Sequence, residues 1–222
     1  MTTIVTRVAG ALLALAGLVL TVVGAWFAAQ LGASGTAEFT ARPGTTDPVL
    51  IRPDVLNRVD EDVVVTATAA EGATVWMALA NPSDAAAVVG DSRHVDVTGV
   101  SVRDWALLTR TTGSGEAPEL GAADLWRQQD DAPAAVTLTV EQDEAPETLV
   151  VATEGGELRT LTMTVVDKTW FVEAVIAVLV GVFLLLAGGA LLWPRGERAD
   201  VPDEPLAPEP ATGHRDPEEV TR

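Results

Sequence analysis

The sequence predicts a membrane protein in which two transmembrane α-helices flank an all-β, antiparallel, sandwich-like domain outside the cytoplasm. Long apolar runs lie near both ends of the 222-residue chain, and short runs alternating apolar with polar residues lie between them. The chain also has no cysteine. Disulfides, thiol nucleophiles and zinc–thiolate sites are therefore excluded, and the domain must be stable through packing alone.

The first apolar run, residues 8–30, has no charged residue and follows Arg7. As a helix it would measure about 34 Å, which is enough to cross a hydrocarbon core of about 30 Å. A cleavable signal peptide is the alternative, because a basic residue precedes the run and the small residues of LGASG follow it. The apolar core of a signal peptide is shorter, about 7 to 15 residues, which favours a retained helix.

The second apolar run, residues 171–193, has a single charged residue, Glu173. A carboxylate in the first turn suits the positive end of the helix dipole and can reach the headgroup region; a role in proton transfer is the alternative. Trp26 marks one membrane interface of the first helix, and Trp170 and Trp193 bracket the second, as amphipathic rings prefer. The sequence therefore predicts two spans with aromatic anchors.

Basic residues predict the orientation of the two spans. Arg7 precedes the first helix, and Arg195 and Arg198 follow the second. Because basic residues stay in the cytoplasm, we expect both termini to be cytoplasmic and residues 31–169 to be extracytoplasmic. The predicted location is the cell membrane, with the chain crossing it twice.

The segments outside the spans have distinct compositions. Residues 1–7 form a short cytoplasmic N-terminus, and residues 31–170 form the external domain, beginning with a linker at 31–47 that is rich in Gly, Thr and Pro. Residues 194–222 are rich in Pro, Glu and Asp, with few apolar residues. Such a tail cannot bury enough apolar surface to fold, which predicts disorder.

Glycine recurs at every seventh position of the first helix, and small residues fill one face of it. The residues of that face are Gly10, Ala14, Gly17, Thr21, Gly24 and Ala28. The second helix has a shorter counterpart, consisting of Ala174, Ala177, Gly181 and Gly188. Small residues let helix backbones approach closely in lipid, so these faces are predicted packing surfaces. They could pair within one chain or recruit a second copy or another membrane protein; an accident of an Ala- and Gly-rich composition is the other explanation.

Eight short β-type runs lie between the spans. They are residues 49–51, 62–69, 74–80, 94–102, 105–111, 135–140, 148–153 and 158–166. In several of them apolar residues alternate with threonine, as in Val136, Leu138 and Val140, which indicates one buried and one wet face. Short strands separated by turn residues indicate a sandwich or a barrel, and we favour the sandwich.

Two interruptions of the strand pattern predict short helices. One covers residues 85–89, with Ser83 or Asp84 as its cap and Gly90 at its end. The other lies around residues 122–129 and would bury its tryptophan. This residue, Trp126, and the domain's other tryptophans, Trp76 and Trp105, are more often core residues than a sugar-binding platform.

No motif for catalysis or cofactor binding stands out. The chain has two histidines, His94 and His214, and only Asp96 lies near His94 on the same face of a predicted strand. The sequence has no P-loop, nucleophile elbow or H-E-x-x-H motif. We therefore predict no catalytic residue, cofactor or metal. Clustered carboxylates such as Asp130 and Asp131 leave calcium binding or glycosidase chemistry as the alternative.

The predicted external domain is strongly acidic. Residues 31–169 contain 23 Asp and Glu against 9 Lys and Arg. This balance disfavours nucleic acid and anionic headgroups as partners and keeps the domain soluble.

The stretch VWMALANPSDAAAVVGDSRHVDVTGV, followed by DLWRQQDDAPAAVTLTV and TLVVATEGG, resembles a group of uncharacterised actinobacterial two-pass membrane proteins with an extracytoplasmic β-rich domain. The matching residues are Asp84, Gly90, His94, Val97, Thr98 and Trp126. The resemblance covers residues 74 to 193. The chain departs from the pattern at residues 87–89, where the group has larger, aromatic residues. The resemblance implies this architecture and a cell-envelope setting, and no activity.

Taken together, these features predict a non-enzymatic cell-envelope protein. Its acidic domain would interact with a protein or polymer, or serve as an accessory of a membrane complex. An extracytoplasmic sensor that signals through paired helices is the alternative, and an enzyme using clustered carboxylates comes third.

Overall fold

The structure, a computed structural model, describes residues 2–142 and 146–193. Its helices are α1 (Thr2–Leu31), α2 (Pro53–Leu56), α3 (Pro82–Val89) and α4 (Lys168–Leu192), with a 3-10 turn at Leu120–Ala122. Its strands are β1 (Thr36–Ala41), β2 (Val49–Ile51), β3 (Val63–Ala69), β4 (Thr74–Ala80), β5 (His94–Ser101), β6 (Ala106–Thr112), β7 (Gln128–Pro133), β8 (Ala135–Val140), β9 (Thr148–Glu154) and β10 (Leu158–Val166).

The two long helices at the ends of the described part, α1 and α4, pack against each other as an antiparallel pair. Their mean hydropathies are 2.4 and 2.8, and both are long and apolar enough to cross a membrane. Helix α1 extends beyond the predicted span at both ends, and α4 begins three residues before the predicted span and ends one residue short of it. The start of α4 is fixed by Asp167, whose carboxylate accepts a hydrogen bond from the Thr169 nitrogen at 2.7 Å.

The strands form one mostly antiparallel sheet in the order β7-β4-β9-β2-β5-β6-β1-β10-β3-β8. The β2–β5 and β1–β6 pairs are parallel. Only Ala134 separates β7 from β8, although these strands lie at opposite ends of the order, and β8 contacts both β7 and β4. The sheet therefore folds back on itself, and its two halves enclose a common core.

The core contains the inward-facing residues of both halves of the sheet. Val65, Met77, Leu149 and Leu161 are fully buried within it. A second, smaller cluster lies on the other face of β2 and β9, where α3 covers the sheet. Strands β2 and β9 are consequently buried on two faces where they pair, and there their sequences, VLI and LVV, are apolar without alternation.

The eight predicted strands are confirmed, whereas the predicted linker at 31–47 is wrong in its central part. Residues 36–41 form β1, which pairs with β10 from Thr36↔Val166 to Ala41↔Leu161. The sequence TAEFTA alternates, but two of its three inward-facing residues are alanines, which are depleted in strands. Pairing with β10 and burial of Phe39 stabilise the strand, and both depend on distant residues.

The predicted helix at 122–129 is also wrong. The chain makes only a 3-10 turn there, and β7 begins at Gln128 because this segment pairs with β4. Trp126 is half-buried, as it packs edge-on against Trp76 and donates its indole N–H to the Leu120 carbonyl at 3.0 Å. Pairing with the free edge of β4 outweighs local helix propensity in this segment.

The other predicted short helix exists as α3, with a different start. Its N-cap residue is Asn81 and Pro82 occupies the first helical turn, so neither Ser83 nor Asp84 is the cap. The Asp84 carboxylate instead accepts a hydrogen bond from the Asn81 side chain at 3.0 Å. Gly90 ends the helix as predicted.

We expect Leu161→Ala to lower the free energy of unfolding by about 2–5 kcal/mol, because the substitution leaves a cavity in the common core. The control is Leu108→Ala on β6, whose side chain is 49% exposed; its effect should stay within about 0.5 kcal/mol. The measurement is guanidinium-induced unfolding in detergent micelles, followed by tryptophan fluorescence. Equal effects of the two substitutions would contradict the assignment of the core.

Candidate functional site

The contact between α1 and α4 is made by the glycines of the predicted small-residue face. Gly10, Gly17 and Gly24 are all buried. A methyl group on Gly17 would lie 2.6 Å from both the Gly181 carbonyl oxygen and the Leu185 nitrogen. No side chain fits into such a gap, so the two backbones are in direct contact at this point.

The facing residues of α4 are equally confined. A methyl group on Gly188 would lie 2.6 Å from the Ala14 nitrogen, and one on Gly181 would lie 2.6 Å from the Thr21 nitrogen. The Thr21 hydroxyl donates to the Gly17 carbonyl at 2.7 Å, so this polar group is satisfied within its own helix. The structure thus brings the two small faces together within one chain.

The remaining members of the two faces lie at the end next to the sheet. A methyl group on Gly24 would lie 2.9 Å from the Ala174 carbonyl oxygen and 3.1 Å from the Ala177 Cβ. Ala174 is buried, and Ala28 is half-buried near the end of α1. The contact therefore continues from Gly10 to the point where α1 reaches the domain.

Large apolar side chains cover the outer surfaces of the helix pair. The most exposed include Leu15 at 60%, Phe183 at 68% and Leu186 at 70%. Such a continuous apolar surface is unusual for a protein dissolved in water. Small residues thus line the contact between the helices, while large ones face outwards.

Aromatic rings join the helix pair to the domain. Trp105 stacks on Phe39 with ring centroids 5.4 Å apart, and it lies 6.1 Å from Trp26 at the end of α1. Trp26 in turn contacts Phe27 edge-on at 4.9 Å. Two of the four rings belong to α1 and two to the domain, one in β1 and one in the turn before β6, so we call this group the junction cluster.

Trp105 has an unusual conformation for a large aromatic residue. Its φ is 50°, in the left-handed region that bulky side chains seldom adopt. Its carbonyl accepts a hydrogen bond from the Thr40 nitrogen at 3.1 Å, which fixes the turn between β5 and β6 against β1. The buried indole Nε1 has no hydrogen-bond acceptor within the described ranges. Backbone strain and an unsatisfied donor at one residue are typical of functional positions.

A cavity of about 540 Å³ lies between the helix pair and the domain. Side chains of α1 such as Leu20 and Phe27 form one wall, and Met163 and Trp105 of the domain form part of another. Two charged residues, Arg58 and Glu173, also line it, and both are exposed. The cavity therefore has apolar walls with charged groups only at its accessible parts.

The predicted aromatic anchors lie at opposite ends of the helix pair. Trp26 and Trp170 are next to the domain, where Trp170 packs against the core and lines the cavity. Trp193 follows α4 at the far end and is 77% exposed.

His94 belongs to a buried polar cluster and not to an exposed strand face. Its Nδ1 lies 2.7 Å from the Ser92 carbonyl oxygen, so Nδ1 must carry the donated proton. Its Nε2 lies 3.5 Å from the Asp96 carboxylate and has no hydrogen-bond partner among the described residues, and that carboxylate accepts from Arg52 at 2.9 Å. His94 and Asp96 do share one face of β5, as predicted, and the cluster holds that strand beside β2.

The structure brings together the packing residues and two of the three anchors, and it leaves other predicted features untested. Within the described residues no group of three or more His, Asp or Glu is arranged to hold a metal ion. The acidic tail from residue 194 onward, including Arg195 and His214, lies outside the described residues, as do residues 143–145.

Sequence reasoning missed the junction cluster and the cavity. The β-type run at residues 105–111 predicts Trp105 at the start of a strand, whereas this residue lies in the turn before β6. Its partners, Trp26 and Phe39, are far away in the sequence, and no local pattern indicates that they meet. The one available signal was a tryptophan next to the turn residues Arg103 and Asp104.

Comparisons with protein-family models and with curated proteins give no match. Among solved structures, one similar chain comes from Bacillus endospore appendages, described as a novel family of disulfide-linked pili. The similarity covers 59% of this chain and 84% of that chain, at 13% sequence identity and a TM-score of 0.20. A likeness at this level carries no argument about function.

We expect Gly17→Ala to destabilise the helix pair by about 1–3 kcal/mol, because the added methyl group overlaps the α4 backbone. Gly189→Ala is the matched control, since nothing lies within 4 Å of a methyl group there. The control should be neutral or stabilising by up to about 1 kcal/mol, because alanine favours helix more than glycine does. Unfolding of the purified protein in micelles measures both. A stabilising Gly17→Ala would contradict the close contact.

Proposed function

We propose that this chain is a non-enzymatic membrane protein of the cell envelope. In this proposal α1 and α4 cross the bilayer as a hairpin and hold the acidic β-domain at the outer membrane surface. There the domain interacts with a protein or polymer, or it serves as an accessory of a membrane complex. The observation that carries the proposal is the arrangement of the helix pair, with glycine in the contact and large apolar residues on every outward face.

The bilayer explains this arrangement better than water does. In lipid, apolar side chains gain little by leaving their surroundings, so helices associate through close backbone contact and leave large residues outside. In water the same outward side chains would be costly to expose. A helix pair of a water-soluble protein would place its leucines in the contact and its polar residues outside.

The glycine contact also supports a retained first helix. If α1 were removed as a signal peptide, Gly181 and Gly188 would lose the backbone against which they pack. The core of the domain would also lose Leu31, which is 4% exposed. These two contacts therefore favour an α1 that is retained in the mature protein.

The proposed orientation follows the distribution of basic residues. Arg7 lies near the free end of α1, the end opposite the domain. Arg195 and Arg198 follow α4 in the sequence, and basic residues close to the ends of spans stay in the cytoplasm. The acidic domain is then on the other side, where its charge keeps it soluble and repels anionic headgroups.

The contacts of His94 support a structural role for the most plausible catalytic residue. The side chain is only 5% exposed, its Nδ1 is bonded to the Ser92 carbonyl, and its Nε2 lies 3.5 Å from the Asp96 carboxylate without a hydrogen bond. A general base needs to reach a proton on a substrate, and a buried imidazole held in this way cannot do so without rearrangement.

A sensor is the second candidate, and the connections between helices and sheet favour it. Residues 32–35 link α1 to β1, and β10 leads into α4 at once. The two connections are joined, because the Asp167 nitrogen donates to the Gly35 carbonyl at 3.0 Å. A ligand that moved β1 relative to β10 would therefore move α1 relative to α4. Such a ligand should change the spacing of spin labels at the free ends of the helices, whereas a passive anchor would keep it constant.

The orientation is tested by labelling single cysteines in this cysteine-free chain. In intact cells, a membrane-impermeant maleimide should react with Ser114→Cys, which lies in an exposed loop of the domain. The control, Thr221→Cys, should react only after the cells are permeabilised. The opposite pattern would reverse the proposed orientation, and reaction of both only in lysed cells would place the domain inside the cell.

A further inference from the structure

The cavity between the helix pair and the domain differs from an ordinary core void because two environments meet there. Residues of α1 and α4 form part of its wall, and residues of the domain core form the rest. If the helix pair crosses a bilayer, as proposed above, the cavity extends from the acyl-chain region into a domain that is otherwise in water. The inference below rests on that proposed function.

We propose that this cavity binds one acyl chain of a phospholipid from the surrounding membrane, with the headgroup held near Arg58. The occupant enters sideways from the outer leaflet and packs its chain against the junction cluster and the adjoining core. This is a lipid-binding site of the β-domain and not merely a contact with the lipids around the helices.

The depth of the cavity along α1 supports this occupant. Its wall includes Leu20, Val23 and Phe27, and Leu20 lies eleven residues before the end of the helix at Leu31. At 1.5 Å per residue, Leu20 is about 16 Å from Leu31 along α1, and the domain contacts this helix as far from Leu31 as Trp26. In the proposed hairpin this part of α1 lies in the acyl-chain region, which favours a membrane lipid over a water-soluble ligand.

The domain side of the cavity offers a continuous apolar surface. Val55, Val59 and Val100 line it together with Met163, and the adjoining core is fully apolar. A volume of about 540 Å³ falls within the range of about 300–1,000 Å³ that is usual for small-molecule sites. Water in an apolar space of this size lacks hydrogen-bond partners. An acyl chain needs none, so it can fill the space and keep water out.

The polar groups around the cavity suit the headgroup end of a lipid. Among the described residues that line the cavity, Arg58 is the one cation. It follows α2 in an exposed position, where its guanidinium can bind a phosphate. The Glu173 carboxylate disfavours additional negative charge, so we expect a headgroup with no more than one phosphate.

Photolabelling of the full-length protein in vesicles tests the proposal. The vesicles contain phosphatidylethanolamine and phosphatidylglycerol, with a small fraction of phosphatidylethanolamine that has a diazirine on one acyl chain. After illumination, mass spectrometry locates the adducts. We expect adducts on residues 55–59 and 100–105 of the domain, as well as on the outer faces of the helices.

Val100→Trp fills the cavity and should lower the labelling of the domain segments about tenfold while the helices stay labelled, because the acyl chain is excluded. Val64→Trp is the matched control, since Val64 is also half-buried but does not line the cavity. Val59→Phe, in the segment after α2, is a second filling variant for use if Val100→Trp does not fold.

Arg58→Gln tests the headgroup contact and should lower the labelling of the same domain segments about threefold. Arg42→Gln, away from the cavity, should not lower it.

The outcomes separate the two proposals. Labelled helices with unlabelled domain segments would contradict the acyl chain and leave the hairpin intact. Unlabelled helices would overturn the membrane hairpin and the lipid site together. Domain labelling that persists in a folded cavity-filling variant would mean that the lipid reaches these segments from outside, which also overturns the site.

Discussion

The direct backbone contact between α1 and α4 is the constraint on which the rest of the structure depends. At Gly17 and Gly181 the helices are too close for any side chain to stand between them. This proximity fixes the distance between the ends of α1 and α4 at the domain. Most large side chains of the pair lie on its outer surface, so the pair is suited to lipid and poorly suited to water.

That distance determines how the sheet begins and ends. The strands that follow α1 and precede α4, β1 and β10, are neighbours that pair over the whole length of β1. They lie within the sheet and are not at its edges, and the remaining strands extend on both sides until β7 and β8 meet. The helix pair and the domain consequently share a core, and the junction cluster and the cavity lie where they join. A β-domain on flexible linkers would have neither feature.

The sequence predicted those parts of the fold whose signal is local or periodic. Glycine at every seventh position identified the contact face of α1, and alternation of apolar residues with threonine identified β8 and β10. It failed where partners distant in the chain decide the outcome. The alanines of β1 carry little signal until β10 is beside them, and β7 forms because β4 has a free edge. The position of Trp105 likewise depends on contacts with Trp26 and Phe39, which are distant in the sequence. Neither the junction cluster nor the cavity could therefore be predicted.

The central claim is that the two small faces pack against each other within one chain in the membrane. A cysteine pair, Gly24→Cys with Ala177→Cys, tests it directly, because the Cβ atoms would lie 3.1 Å apart, close to the roughly 3.5–4.5 Å of a disulfide. A protease site inserted at residues 113–115 allows the chain to be cut between the helices after oxidation in native membranes. The account predicts that the two fragments stay joined as one monomer-sized species until a reductant is added, and that Ala25→Cys with Ala177→Cys does not join them. Fragments that separate, or that are joined only between different chains, would contradict it.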